Sequence, residues 1–373
     1  MTIVVLHLSD IHIKNQSNPI LRRGPDIAAS LFSVLPSASH VFILVSGDVA
    51  FSGSTDQYVL ASQLLEEIQR RVREETSCPV DFVIAPGNHD CNFQRDSGAR
   101  RAVVSALESE ECPEVDDSII RTCTEIQEEF FDFRNRLEAR DPDYDDRLWR
   151  TSRFQAQGKV IDFDCLNVSW VSRLSEEPGR LFFPVDRYQA KVNEEPEIRI
   201  VILHHPLNWF NQSIYRKFRT FVRKIATLLV SGHEHQGTVG TVLDAEAEPS
   251  AFVEGCVLEG HADLTDSGFN VIQIDLEHKQ FSSIQFRWSG KRFEPTEDGS
   301  WSDYHELPAK RASAFGISEA FHQSMDDPGA FFKHPGVSNI SLPDIFIYPD
   351  VRKVGNGEDR RRVFISSSQL LSP

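Results

Sequence analysis

The 373-residue sequence lacks several features that would place it in common classes of protein. No apolar run approaches the ~18 residues that a membrane-spanning helix needs. The first residues run from Met1 into His7 and Asp10 without the basic start or the cleavage site of a secretion signal. The six cysteines form no Cys-x-x-Cys pair, which is typical of reduced thiols rather than of a disulfide framework. We therefore expect a cytoplasmic protein with no membrane partner.

Basic residues are scarce relative to acidic ones. The sequence has 39 Lys and Arg against 56 Asp and Glu, so the formal net charge is -17. Such a surface repels nucleic acid on average, and a polyanion would need a local positive feature such as metal ions or a basic helix. Hydrophobic residues make up 40% and charged residues 25%, which is ordinary globular usage and excludes a disordered or fibrous chain.

Five short apolar runs each end in a polar cluster. Unalternating runs of this length are typical of strands that are buried on both faces. Helix-like stretches, Pro25–Leu35 and Asp56–Arg73, lie between the early runs, and strand alternating with helix predicts a mostly parallel α/β sheet. Alternating segments after Lys159 predict a second sheet packed on the first. The five runs are Ile3–Leu8, Val41–Val45, Val80–Ala85, Ile198–Leu203 and Thr227–Val230.

Two regions depart from this alternation, and in the second, after about Gly290, the pattern weakens. The segment Cys91–Gly158 is charged and helical in pattern, which predicts a helical insertion that serves either as a substrate cap or as a packing element. Its aromatic residues Phe130, Phe131, Phe133 and Trp149 are expected in the core. We predict a main domain over residues 1–300 and a C-terminal extension or connector over 301–373.

Each apolar run is followed at once by His, Asp or Asn. In an open α/β sheet the carboxyl ends of the strands form the edge where ligands bind, so these side chains should meet at one rim. Two carboxylates, one amide oxygen and four imidazoles suit Mn, Fe, Zn, Co or Ni, and are too rich in nitrogen for a Ca or Mg site. The candidate metal ligands are Asp10, His12, Asp48, Asn88, His204, His233 and His235.

Seven ligands are too many for one ion, but a shared carboxylate would let them hold two. Two ions ~3.5–4 Å apart are the arrangement that stabilises the attacking and departing oxygens in phosphoryl transfer. The spacing supports this, because Asp10 and His12 are two residues apart and project to the same side of an extended segment. Gly47 before Asp48 lets the backbone pass close to the ions.

The ordered blocks D-x-H, G-D, G-N-H-D, H-H-P and G-H-x-H resemble those of the calcineurin-like metallophosphoesterases. The resemblance covers residues 2 to about 288. It implies an α/β fold, a four-layer α/β/β/α sandwich of two mixed sheets with the helical insertion. It also implies two divalent or trivalent transition-metal ions as cofactors, with manganese preferred over iron, zinc, cobalt or nickel.

The resemblance also implies a role for each residue. His89 would stabilise the developing charge or protonate the leaving oxygen, and Asp90 would orient His89. The doubled histidine of H-H-P matches the ligand position either way, as His204 or as His205. The first ion would be held by Asp10, His12 and His235, the second by Asn88, His204 and His233, with Asp48 bridging both.

The expected activity is hydrolysis of phosphodiester bonds, because a pair of such ions lowers the pKa of water enough for hydroxide to attack phosphorus in line. A nuclease acting on DNA or RNA is the favoured reading. The segment Arg216–Lys224 would supply local positive charge, with Arg216, Arg219 and Arg223 on one helical face. The alternatives are a phosphodiesterase or phosphatase acting on a nucleotide or other small phosphate compound, and a catalytically silent metal-binding module with a regulatory or partner-binding role.

The run from Leu342 to Asp350 and the basic polar stretch after it resemble a known type of connector. In bacterial STAND-type defence proteins such a segment joins an N-terminal effector domain to a nucleoside-triphosphatase module. The resemblance implies a role in antiviral defence and a C-terminal NTPase module of the same parent chain as a partner. That module would lie outside this sequence, which contains no G-x-x-x-x-G-K-[ST] motif.

Overall fold

The computed structural model describes residues 1–109, 114–193, 196–234, 237–244, 247–259, 264–296 and 299–304, with the pairs 351–352 and 364–365. Contacts divide the chain into two units, Met1–Arg311 and Ala312–Pro373. In the second unit the described strands Val351–Arg352 and Phe364–Ile365 pair antiparallel. The connector predicted over 342–350 lies outside the described residues, and the predicted boundary at residue 300 stays a prediction.

In the first unit, strands and helices alternate along the early part of the chain. The described strands are β1 (Thr2–Leu8), β2 (Ala38–Val45), β3 (Val80–Ile84), β4 (Tyr144–Asp145), β5 (Trp149–Ala156), β6 (Lys159–Leu166), β7 (Ile198–Ile202), β8 (Leu228–Ser231), β9 (Val239–Asp244), β10 (Ala247–Glu254), β11 (Gly268–Asp275), β12 (Gln280–Trp288), β13 (Phe293–Pro295) and β14 (Trp301–Asp303). The described helices are α1 (Gly24–Ala29), α2 (Thr55–Glu75), α3 (Gly98–Glu108), α4 (Asp117–Thr124), α5 (Glu128–Glu138) and α6 (Gln212–Ile225). Within the described residues, no helix is both long and apolar enough to cross a membrane.

The first sheet has the strand order β13-β12-β11-β1-β2-β3, with β14 beside β12. β1, β2 and β3 run parallel, and β11 pairs antiparallel with β1. All residues of β1 are buried, which explains why this strand appears in the sequence as an unbroken apolar run. The parallel strands align their carboxyl ends, so the polar residues that follow them lie at one edge.

The second sheet has the order β4-β5-β6-β7-β8-β10-β9. Its central strands β6, β7, β8 and β10 run parallel, and β5 and β9 pair antiparallel at either side. His204 lies just after β7 and His233 just after β8. The two sheets therefore each deliver predicted ligands from the carboxyl ends of parallel strands.

The two sheets pack face to face. One apolar cluster joins them, with Val5 and Phe42 from the first sheet and Phe163 and Ile202 from the second. A second cluster joins the outer face of the first sheet to α1, α2 and α5, and a third joins the outer face of the second sheet to α3, α4 and α6. Alternate residues of the buried strands serve the two faces, as the pleat requires. The four-layer α/β/β/α sandwich with two mixed sheets is therefore confirmed.

The predicted insertion, Cys91–Gly158, is only partly helical. It contains α3, α4 and α5, but its last part forms β4 and β5 of the second sheet. β5 could not be recognised in the sequence because it contains charged residues. One of them, Arg150, is buried, and its guanidinium pairs with Glu138 at 2.6 Å. The described helices pack in the outer layers of both sheets, as expected for a packing element, and a role as a substrate cap is not tested by this packing. The core positions predicted for Phe130, Phe131, Phe133 and Trp149 are confirmed.

Arg100 of α3 ties the insertion to the loop after β6. Its side chain is 1% exposed and pairs with Asp96 at 3.1 Å. The guanidinium donates to the backbone carbonyls of Cys123 at 2.8 Å, Trp170 at 3.1 Å and Ser172 at 2.8 Å. One cation therefore satisfies three buried carbonyls that come from two segments of the chain.

Replacing Arg100 with Met should lower the free energy of unfolding by about 3–5 kcal/mol, because the carbonyls lose their donor in a dry site. Urea denaturation followed by circular dichroism measures this loss. The matched control is Arg101→Met on the same helix, whose side chain is 58% exposed and whose replacement should cost about 0.5 kcal/mol or less. Equal losses in the two variants would contradict the anchoring role of Arg100.

Candidate metal centre

The described predicted ligands that follow β1, β2, β3, β7 and β8 meet at one edge of the sandwich, around Asp48. One carboxylate oxygen of Asp48, Oδ2, lies 3.3 Å from His12 Nε2 and 3.2 Å from His204 Nε2. The same nitrogen of His204 lies 3.1 Å from Asn88 Oδ1 and 3.3 Å from His233 Nδ1. The structure therefore brings donor atoms from both sheets within contact distance of one another.

Asp10 completes this group on the side of β1. Its Oδ2 accepts hydrogen bonds from the Ser9 hydroxyl at 2.5 Å and from the backbone N–H of His233 at 3.1 Å. Asp10, Asp48 and His204 each offer a ligand atom within 4.8 Å of the others. His235 lies outside the described residues, so its place in the ligand set stays a prediction.

The backbone at four of these ligands is left-handed. The φ angles are 53° at Asp10, 50° at His12, 55° at Asp48 and 74° at His233. Residues other than glycine rarely adopt this conformation, and where they do it is often at a binding or catalytic site held in place by its surroundings. The chain therefore bends sharply just beyond the strands, and this bend directs consecutive side chains into the centre.

Two glycines leave room for these side chains. A Cβ on Gly47, whose φ is 113°, would lie 2.6 Å from His204 Nδ1. A Cβ on Gly87 would lie 2.1 Å from Asp48 Oδ1. Both distances are shorter than any ordinary contact, which supplies the physical reason for the G-D and G-N-H-D motifs.

Two histidines are held in the ring orientation that a metal requires. His204 Nδ1 lies 2.9 Å from the carbonyl oxygen of Ser46, and His12 Nδ1 lies 3.3 Å from that of Glu259. A carbonyl only accepts, so each Nδ1 donates its hydrogen there, and each Nε2 is the nitrogen that faces Asp48 and is left for a metal. This donor set, with carboxylate, amide and oriented imidazole groups, fits a divalent transition metal.

The buried carboxylates also favour a positive charge at the centre. Burial opposes protonation of His204, but the negative charges of Asp48 and Asp10 outweigh it and raise the pKa of the imidazole to about 10. Burial likewise opposes ionisation of Asp48, yet His204 and His12 hold the pKa of this carboxyl well below its usual range. A metal ion would supply this positive charge and displace the proton of His204.

Binding of Mn²⁺ at pH 8 should therefore release about one proton from His204, whose raised pKa keeps it protonated at that pH. Isothermal titration calorimetry in two buffers with different ionisation enthalpies measures this release. A binding enthalpy that is the same in both buffers would contradict the predicted exchange of proton for metal.

His89 lies beside the predicted first-ion ligands. Its backbone N–H donates to Asp48 Oδ1 at 2.7 Å, and its ring meets the His12 ring edge-on at a centroid distance of 4.8 Å. The ring Nδ1 lies 2.7 Å from the carbonyl oxygen of Phe51 and must donate to it, so Nε2 is the nitrogen left for chemistry. The half-buried His89 is therefore oriented next to the centre.

Asp90 does not orient the His89 ring as predicted, because the Phe51 carbonyl fills that role. The carboxylate of Asp90 instead accepts from the backbone N–H groups of Gly87 at 2.9 Å and Ala50 at 3.1 Å, and from the Tyr58 hydroxyl at 3.1 Å. Burial and the nearby charge of Asp48 raise the pKa of Asp90 to about 6. Asp90 thus ties the loop after β3 to the loop after β2 and positions the backbone of both.

The geometry favours His204 over His205 as the ligand. His204 faces Asp48, whereas His205 Nε2 lies 2.9 Å from the carboxylate of Glu176. The rings of His205 and Trp209, both from the segment between β7 and α6, each lie 4.2 Å from the His233 ring.

The predicted site did not include Glu176 and Trp209, nor the carbonyl of Phe51. These groups sit in loops, and no spacing in the sequence indicates where such a loop passes. The only available signal for Trp209 was its closeness in sequence to the H-H-P motif.

Comparison with known proteins identifies the class to which this fold and centre belong. Residues 3–237 match the family model described as calcineurin-like phosphoesterase, and the chain belongs to that family. The predicted family is therefore confirmed. No curated protein matches the sequence significantly.

Solved structures that are similar to this chain include Vps29 and SoxB. Wild-type Vps29 from Entamoeba histolytica, solved in complex with Zn²⁺, is 11% identical with a TM-score of 0.32, over 79% of this chain and 98% of Vps29. Vps29 from Cryptosporidium parvum is 12% identical with a TM-score of 0.32, over 81% of this chain and 98% of the other. The sulfate thiohydrolase SoxB from Thermus thermophilus is 11% identical with a TM-score of 0.37, over 86% of this chain and 60% of SoxB.

Proposed function

We propose that this chain is a dinuclear metal-dependent phosphodiesterase that acts on nucleic acid. The observation that carries the proposal is the position of Asp48 Oδ2, which lies within 3.3 Å of a nitrogen from both His12 and His204. These two histidines belong to different predicted ligand sets. A carboxylate oxygen between two such sets supports a pair of ions that share it, rather than a single ion.

The proposed ligands follow the motif order. When bound, the two ions would make water nucleophilic near neutral pH and neutralise the phosphoryl oxygens, and manganese is the metal we propose. The first ion would take Asp10, His12 and His235, the second Asn88, His204 and His233, and Asp48 both.

His89 is the proposed proton donor. Its Nδ1 is held by the Phe51 carbonyl, so a proton on Nε2 is aimed into the space beside Asp48 and His12. An imidazolium in this position can pass that proton to the departing alkoxide oxygen of a phosphodiester. The backbone carbonyl of Phe51 holds the ring in the orientation proposed for this transfer.

Helix α6 supports nucleic acid as the substrate. Its apolar face, with Phe218 and Phe221, is buried against the second sheet. Arg216 is exposed and Arg219 is half-buried on the opposite face, which gives this acidic protein a local positive strip. The formal net charge of -17 favours a second candidate, a phosphodiesterase acting on a nucleotide, since a small substrate needs no extended positive surface.

Substrate assays on protein stripped with a chelator and reloaded with Mn²⁺ test the proposal. We expect metal-dependent hydrolysis of bis(p-nitrophenyl) phosphate, single-stranded DNA and RNA. Arg216→Glu should lower nucleic-acid cleavage relative to the small ester, whereas Lys291→Glu, at an exposed position outside α6, should not. Turnover of the small ester alone would favour the second candidate, a phosphodiesterase acting on a nucleotide. Metal binding without any hydrolysis would overturn the proposal in favour of a silent module.

A further inference from the structure

A cavity of about 490 Å³ opens on the second sheet beside the candidate metal centre. This volume lies in the range of small-molecule binding sites. Its described lining includes the apolar side chains of Leu203, Leu229 and Phe252, together with the charged side chains of Arg223, Glu234 and Glu254. The cavity therefore presents both apolar side chains and hydrogen-bonding groups.

The cavity and the centre share a wall. Glu234 lines the cavity and directly follows His233 in the chain. The indole N–H of Trp209 donates to Glu234 Oε1 at 2.9 Å, and the Trp209 ring meets the His233 ring edge-on at 4.2 Å. A substrate whose phosphate lies at the centre can therefore place its neighbouring group in the cavity.

Glu254 is firmly placed in this lining at the end of β10. Its backbone N–H donates to the carbonyl of Thr238 at 2.8 Å, and its own carbonyl accepts from the Asn270 amide at 2.9 Å. Both bonds fix the backbone from which the carboxylate reaches the cavity. A carboxylate is an acceptor only, so the group that it selects must donate hydrogen bonds.

The lining favours a nucleobase over a cationic head group. A quaternary ammonium is usually held in a cage of several aromatic rings, whereas Phe252 is the aromatic residue in the described lining. Arg223 in the same lining would attract a phosphate next to a nucleoside. A base satisfies the apolar walls with its ring faces and the carboxylates with its amino edge.

We propose that this cavity binds the nucleoside next to the scissile phosphate and that Glu254 selects bases that carry an amino group, guanine above all. The two oxygens of a carboxylate match the adjacent ring N–H and amino group of guanine, whereas uracil offers one N–H. The inference rests on the proposed function and narrows its substrate class to phosphodiesters that bear a nucleoside.

The p-nitrophenyl esters of nucleoside 5′-monophosphates test this selection, because they share one scissile bond and one chromophore and differ only in the base. With the full chain and Mn²⁺, kcat/KM for the guanosine ester should exceed that for the uridine ester on the order of 10-fold. Glu254→Gln should bring that ratio close to one. The matched control Glu277→Gln, at an exposed turn, should leave the ratio unchanged.

Two further measurements keep the outcomes distinct. If Glu254→Gln fails to fold, inhibition of the unmodified chain provides the test: guanosine should inhibit hydrolysis of bis(p-nitrophenyl) phosphate more strongly than uridine does. Equal rates for all bases, or faster turnover of p-nitrophenyl phosphocholine, would overturn the nucleoside assignment while hydrolysis itself stands. Absence of any hydrolysis of bis(p-nitrophenyl) phosphate would instead overturn the proposed function.

Discussion

Asp48→Asn should lose both metal ions and lower kcat/KM for bis(p-nitrophenyl) phosphate by about 10³-fold or more. Asparagine keeps the oxygen that accepts from the His89 backbone N–H, so the loop after β3 remains anchored. It removes the negative charge and replaces the oxygen that lies between His12 and His204. Because that oxygen is the proposed shared ligand, this one substitution should weaken the binding of both ions.

Elemental analysis of the purified variant, beside steady-state kinetics, measures these two effects. The matched control is Asp56→Asn, at an exposed position on α2, which should bind metal and turn over substrate as the unmodified chain does. Retention of two ions per chain in Asp48→Asn would show that Asp48 is not shared, and the dinuclear arrangement would have to be abandoned.

His89→Ala should retain both ions while turnover falls by roughly 10²–10⁴-fold. The loss should depend on the leaving group, because a proton donor matters most when the departing oxygen is a poor one. We expect a large decrease for a dinucleotide, which releases an alkoxide, and a smaller decrease for p-nitrophenyl esters, whose leaving group needs no proton.

His278→Ala is the control for this variant, because His278 is an exposed histidine in the β11–β12 turn. Equal decreases for both kinds of leaving group would assign His89 to stabilisation of charge on phosphorus instead. Loss of metal in His89→Ala would place His89 among the ligands. This outcome has to be tested because His89 lies close to His12 and Asp48.

The fold around the centre could be predicted because its strands are buried on both faces. β1 and β7 lie between two apolar layers, and all their residues are buried. Most of these residues are therefore apolar, and the strands are easy to recognise in the sequence as short apolar runs. Each run ends at the residue where the chain leaves the core, which is why polar donors follow it directly. The four-layer order, in contrast, came from the family resemblance and not from the periodicity.

What could not be predicted depends on contacts between segments that are distant in the sequence. β5 looked helical and charged because the partner of Arg150, Glu138, lies on a different element. The prediction that Asp90 orients the His89 ring was wrong for a related reason, because the partners of Asp90, Ala50 and Tyr58, belong to the segment after β2. Neither pairing leaves a spacing in the sequence that could reveal it.

The position of Asp48 between His12 and His204 has a consequence for the stability of the whole sandwich. Asp48 and His12 extend from the first sheet, while His204 extends from the second. A cation bound among them cross-links the two halves and binds the native state alone. Melting temperature then becomes a function of free metal, with about 2.7 kcal/mol gained per site at a concentration one hundred times Kd.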